Sequence, residues 1–191
     1  ITGGAGNDSI NAGAGADVIV GADAGDTIDG GADTDTLQLS ASYAPAGNVN
    51  LSNVENVTVT GNSSAVTVNL SNQTEGFNVT LSNSGDTVTT GTSGGVDTIT
   101  GGTGNDTIDA GAGDDSVDAG VGADTITGGA GNDSINAGAG ADVIVGADAG
   151  DTIDGGADTD TLQLSASYTP TADANLSNVE NVTVTGNSSA R

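Results

Sequence analysis

The sequence predicts an all-β chain, a parallel β-solenoid wound from short strands and glycine-rich turns. Three observations predict it. A nine-residue period holds its phase through eight units between Thr92 and Gln163. Within those units an aliphatic residue always takes the eighth place: Ile99, Ile108, Val117, Ile126, Ile135, Ile144, Ile153 and Leu162. The 191 residues contain 33 Gly but only one Phe, two Tyr and no Trp, Met, Cys or His, which is too few large apolar side chains for an ordinary globular core.

Each part of the unit asks something different of the chain. Glycines in the first four places permit positive φ and a tight turn. The last three places, such as Thr107-Ile-Asp109, make a short strand with its middle side chain on one face. A turn plus a strand is half a coil. Two units then close an 18-residue coil, and coils stack about 4.8 Å apart. The eighth-place residues form an inner ladder, and the sixth-place residues form ladders at the turns. The sixth place is always Asp: Asp97, Asp106, Asp115, Asp124, Asp133, Asp142, Asp151 and Asp160.

Stacked carboxylates repel by roughly 1 kcal/mol per pair in water and several times that at low effective dielectric. One buried aliphatic per unit returns about 1.5–3 kcal/mol, against about 1–2 kcal/mol of backbone entropy for every residue ordered. A dication between carboxylates removes the repulsion and adds binding energy to folding. Ligands drawn from Asp side chains and backbone carbonyls are all oxygen, which suits calcium rather than zinc or copper.

The pattern, written G-G-x-G-x-D-x-U-x, resembles the calcium-binding nonapeptide of the RTX (hemolysin-type) family. The resemblance implies a β-roll and a secreted bacterial protein, such as a toxin, protease, adhesin or surface-layer protein, exported by type I secretion machinery. It also implies ions held between turns two units apart. The expected pairs are Asp97 with Asp115, Asp106 with Asp124, Asp115 with Asp133, Asp124 with Asp142, Asp133 with Asp151 and Asp142 with Asp160. In an earlier block, Asp8 pairs with Asp26 and Asp17 with Asp35, and glycine carbonyls complete the shells. The fourth place departs from the pattern at Ala24, Asp33, Ala149 and Asp158. If that place needs left-handed φ, Ala is strained there and Asp tolerates it better, so the last two units of each block are the weakest candidates. Ala12, Ala110, Ala119 and Ala137 in the first place are milder departures.

Taken in order, residues 1–38 read as four nonapeptides, with Asp8, Asp17, Asp26 and Asp35 expected outside and Ile10, Ile19, Ile28 and Leu37 inside. Residues 39–91 lack the nonapeptide and are rich in Asn, Ser, Thr and Val. Alternation in Asn56-Val-Thr-Val-Thr60, Val66-Thr-Val-Asn-Leu70 and Phe77-Asn-Val-Thr-Leu81 predicts strands with one apolar face. Their spacing favours a solenoid continued in slightly larger, calcium-free coils over a separate small sandwich. Residues 92–163 form the second block, and 164–191 begin another non-nonapeptide segment. Ile1–Tyr43 recurs as Ile126–Tyr168, and Leu51–Ala65 as Leu176–Ala190, a tandem period of 125 residues. This marks the chain as a window on a longer repetitive protein. Pro45 and Pro170 fall where loops or edges are needed.

A net charge of −25 with a single Lys or Arg leaves nothing to neutralise phosphate, which excludes a nucleic-acid partner. No apolar run approaches a membrane span. Only three acids are Glu, so the acidity is an Asp pattern and not general. High charge with few aromatics predicts disorder without calcium and order with it. Asn-x-Ser/Thr triplets such as Asn56-Val-Thr58 and Asn62-Ser-Ser64 follow from composition, not from glycosylation. Asp114-Asp115 could suggest paired catalytic carboxylates, but Asp115 is a repeat ligand and no His, Cys or Lys activates a nucleophile. Tyr43 and Tyr168 are expected to pack at junctions. An ice-binding face is disfavoured because the third and fifth places are irregular. The expectation is a non-enzymatic, extracellular structural protein that self-associates in a surface layer, filament or matrix fibre. The alternatives are the stalk of a giant adhesin and the calcium roll of a secreted toxin or enzyme.

Overall fold

The computed structural model describes residues 1–47, 50–61, 64–165 and 175–185. Nineteen short strands follow one another in these residues, and every pairing between them is parallel. The strands of the first block are β1 (Ser9–Ala14), β2 (Val18–Val20), β3 (Thr27–Ala32) and β4 (Thr36–Leu39). The middle segment supplies β5 (Leu51–Ser52), β6 (Asn56–Val59), β7 (Thr67–Asn69), β8 (Asn78–Thr80) and β9 (Thr87–Thr89). The second block runs from β10 (Thr98–Thr103) through β11 (Thr107–Asp109), β12 (Ser116–Val121), β13 (Thr125–Thr127), β14 (Ser134–Asn136), β15 (Val143–Val145) and β16 (Thr152–Asp154) to β17 (Thr161–Leu164). β18 (Leu176–Ser177) and β19 (Asn181–Val184) close the described chain.

Even-numbered strands form one nine-stranded sheet from β2 to β18. Odd-numbered strands form a three-stranded sheet, β1-β3-β5, and a seven-stranded sheet from β7 to β19. Successive strands thus alternate between two faces, as the half-coil reading requires. Within the nonapeptide blocks the register advances by two units, Ser9 beside Thr27, Thr107 beside Thr125, Ser116 beside Ser134. In the middle segment the coils lengthen: Thr36 lies beside Asn56, Asn56 beside Asn78, and Thr67 beside Thr87. The even sheet therefore passes through this segment without a break, and the separate-sandwich alternative is not observed.

Only the odd face is interrupted there. The chain around Tyr43 adds a rung beside β7: the Tyr43 N–H donates to Thr67 O at 2.8 Å and the Asn69 N–H to Tyr43 O at 2.8 Å. Tyr43 is buried, as its expected packing role requires, and Pro45 lies in the loop beside it. Tyr168, Pro170 and the Asn62 triplet fall outside the described residues.

The core is the predicted ladder. Ile19, Ile28, Leu37, Val57, Val68, Val88, Ile126, Ile144, Ile153 and Leu162 are fully buried between the two faces. Inner side chains come from strand centres because alternation sends the flanking residues outward. Turn geometry follows the glycines. Gly120 has φ 99, and a Cβ there would overlap the carbonyl of Gly102 one coil away, so second-place glycines both turn the chain and let coils touch. At the fourth place Asp33 (φ 76) and Asp158 (φ 83) adopt the left-handed conformation, whereas Ala24 and Ala149 do not. No helix in the described residues is long and apolar enough to cross a membrane.

Candidate metal centre

The sixth-place aspartates stand at the start of each strand, where the turn enters the sheet, and they line up in two columns along the edges of the solenoid. Those in front of even strands form one column and those in front of odd strands the other. Each carboxylate has a defined partner. The Asp97 N–H donates to Asp115 Oδ1 at 2.8 Å, Asp115 to Asp133 at 3.0 Å, and Asp133 to Asp151 at 3.0 Å. In the other column the Asp106 N–H donates to Asp124 Oδ1 at 2.7 Å, Asp124 to Asp142 at 2.7 Å, and Asp142 to Asp160 at 2.9 Å. In the first block the Asp8 N–H reaches Asp26 at 2.9 Å and the Asp17 N–H reaches Asp35 at 2.8 Å. The structure therefore brings together all eight pairs spaced two units apart.

One carboxylate oxygen thus clamps the coil before it, satisfying a main-chain donor that the sheet leaves open at the turn. The pairing also inverts one expectation. Asp26 and Asp35 do not point outside; both are completely buried, and Asp8 and Asp17 are half-buried. In the second block all eight sixth-place aspartates are 2 % exposed or less. The sheet edge captures the carboxylate because the unpaired N–H lies inside the turn, not on its outer surface.

The second oxygen is what remains for chemistry. Oδ2 of Asp8, Asp35, Asp97, Asp106, Asp115, Asp124, Asp133, Asp142 and Asp160 is buried without a hydrogen-bond partner. Burial pushes Asp115 and Asp124 up to about 6, with the neighbouring column carboxylates adding to the effect. It also raises Asp97, Asp106, Asp133, Asp142 and Asp160. A buried, unpartnered anion next to others of its kind is costly unless a cation joins it. Among the described residues no three acidic side chains converge on one point. The columns offer carboxylates one coil apart, so an ion there would take the rest of its shell from backbone carbonyls. Hard oxygen donors in that number suit calcium.

Sequence reasoning missed three members of the columns. Glu55 Oε2 accepts from the Asp35 N–H at 2.9 Å, and Glu180 Oε2 accepts from the Asp160 N–H at 2.9 Å, extending each block by a longer side chain. Asp86 lies in the middle segment, 1 % exposed, accepting the Val66 N–H at 2.7 Å while its own N–H reaches Asp106 Oδ1 at 2.7 Å. The signal was present as an acid-x-aliphatic-x run without glycines, Glu55-Asn-Val-Thr58 and Asp86-Thr-Val-Thr89. Elsewhere in that segment apolar residues take the sixth place. Phe77 and Val66 are buried there and offer only their N–H groups to Asp97 and Asp86.

The family model for the RTX calcium-binding nonapeptide repeat (4 copies) matches residues 1–37, 91–126 and 127–162, more than half of the chain. The chain belongs to the RTX calcium-binding repeat family. Among curated proteins nothing matches it. The matched residues of the RTX repeat are the two blocks whose aspartates form the columns, and the orphaned oxygens fit the ion the family is known by. When bound, calcium would supply the positive charge that the columns lack. The chain's own residues align the carboxylates, exclude water from them and hold their first oxygens on the main chain.

Proposed function

We propose that this RTX chain is an extracellular structural protein of the bacterial exterior, which folds on calcium and self-associates in a surface layer, filament or matrix fibre. The observation that carries this reading is the even-face ladder, which runs from β2 to β18 through both blocks and the segment between them. A solenoid continued through its spacers is a stiff rod, because each coil rests on the next. Near-identity of the two copies favours length and stiffness over a unique binding site. No catalytic role enters this reading. Export by type I secretion machinery follows from the family and not from these residues.

Electron microscopy of the purified chain in millimolar calcium, beside a chelated sample, tests it. Ordered fibres or sheets that disappear on chelation are the expected result. Separate stiff rods would move the assignment to an adhesin stalk. Fibres indifferent to the chelator would contradict calcium as the agent that holds the assembly.

A further inference from the structure

We propose that calcium loads only at turns whose sixth-place carboxylate keeps an open oxygen, and that Asp26, Asp86 and Asp151 are metal-free clasps. This rests on the calcium reading above and sharpens it to individual turns.

The three differ from the other column carboxylates in one respect: their second oxygen is already taken by a donor from their own turn. The Asp23 N–H donates to Asp26 Oδ2 at 2.8 Å, and the Asp148 N–H donates to Asp151 Oδ2 at 2.6 Å. Asp86 Oδ2 accepts both the Ser82 N–H at 2.8 Å and the Ser82 hydroxyl at 2.7 Å. In each case Oδ1 serves the coil before, as elsewhere. Both oxygens of these buried carboxylates are therefore satisfied. A cation approaching one would meet the positive end of an N–H dipole and would have to break that bond.

The cause is legible in the turns. The units Gly21–Asp29 and Gly146–Asp154 carry Ala at the second and fourth places, where the repeat calls for glycine. Their left-handed residue moves to the first place, Gly21 at φ 68 and Gly146 at φ 73. The turn tightens, with the Asp26 N–H bonded to Asp23 O at 3.0 Å and the Asp151 N–H to Asp148 O at 3.2 Å. That fold aims the third-place N–H at the carboxylate. The same clasp forms in both copies, at two different positions in the solenoid. Asp33 and Asp158 meet the left-handed requirement, and their units keep an open oxygen on Asp35 and Asp160. Departure from glycine alone thus does not close a turn; Ala at the left-handed places does. In the second block the even column of open carboxylates ends at Asp133, and the odd column begins at Asp106, after Asp86.

Isothermal titration of the full chain with calcium chloride decides the matter, with circular dichroism in calcium to confirm folding. Asp26→Asn, Asp86→Asn and Asp151→Asn are expected to leave the number of bound ions unchanged, whereas Asp115→Asn lowers it. Ala147→Gly/Ala149→Gly, which removes no ligand, is expected to open the turn and add at least one ion. Fewer ions in any folded clasp variant, or no gain in the double glycine variant, overturns the proposal while the calcium reading stands. No calcium bound by the parent chain overturns both.

Discussion

A carboxylate at the sixth place has two separate tasks. One oxygen fastens the preceding coil through its N–H, and the other remains bare in most turns. Asp124 illustrates both, since it accepts from Asp106 and its own N–H reaches Asp142. Standing between two neighbours, it should serve two ions. Asp124→Ala is expected to lower calcium stoichiometry by more than one; titration showing no loss would sink the shared-ligand arrangement. Acidity should partly replace the metal. The folded values of Asp115 and Asp124 lie near 6, above the unfolded value of 3.8. The folded chain therefore holds protons that the unfolded chain releases between roughly pH 4 and 6, so metal-free stability rises as pH falls through that window and is lost as pH rises through it. Far-UV circular dichroism of the chelated chain should gain β signal from pH 7 to pH 5. A flat profile would mean that the burial of charged carboxylates, with the repulsion between them, does not limit the stability of the metal-free chain.

At the scale of the strand and turn, close stacking makes glycine indispensable at a few points. Gly140 has φ 136, and a Cβ there would overlap the carbonyl of Gly122 one coil away. Gly140→Ala should cost roughly 2–5 kcal/mol, the sum of a left-handed penalty and an overpacked contact, read as a lower Tm in calcium. Valines report their position in the stack with equal clarity. Val57, at the centre of β6, is completely buried between the faces, whereas Val96, in the turn before β10, is 62 % exposed. Val57→Ala should cost about 2 kcal/mol and Val96→Ala less than about 0.5 kcal/mol in urea unfolding. Equal losses would mean that Val96 is covered in solution.

For the whole molecule, stability and charge are linked through calcium. With a net charge of −25 the chain repels itself throughout its length, and bound dications offset that repulsion turn by turn. Because the ions bind the folded form, Tm should climb with each decade of free calcium, more steeply than a single site allows. Scanning calorimetry across a calcium series measures the slope; a one-site slope would contradict a multi-ion solenoid. The duplication also has a geometric consequence. From β1 to its equivalent β14 the chain advances thirteen strands, an odd number. Copies of the same surface therefore face opposite sides: β2 belongs to the even sheet, but its twin β15 belongs to the odd one.

What the amino-acid sequence by itself determined is everything that repeats locally. The period sets the half-coil, the eighth place sets the inner ladder, and two periods set the partner, so Asp97 had to meet Asp115 and Ile108 had to meet Ile126. In a solenoid the spatial neighbour is always one coil along the chain, and one-dimensional spacing therefore carries three-dimensional contact. Alternation extended that logic through β6, β7 and β8, where the nonapeptide is absent. Tertiary structure decided what depends on a direction or a count. Burial of Asp26 and Asp35 follows from an N–H that faces inward only once the sheet is formed. Closure of Asp26, Asp86 and Asp151 depends on where the donors of one turn point; Ala at the left-handed places biases that direction at Asp26 and Asp151, but the hydrogen bond itself exists only in the folded turn.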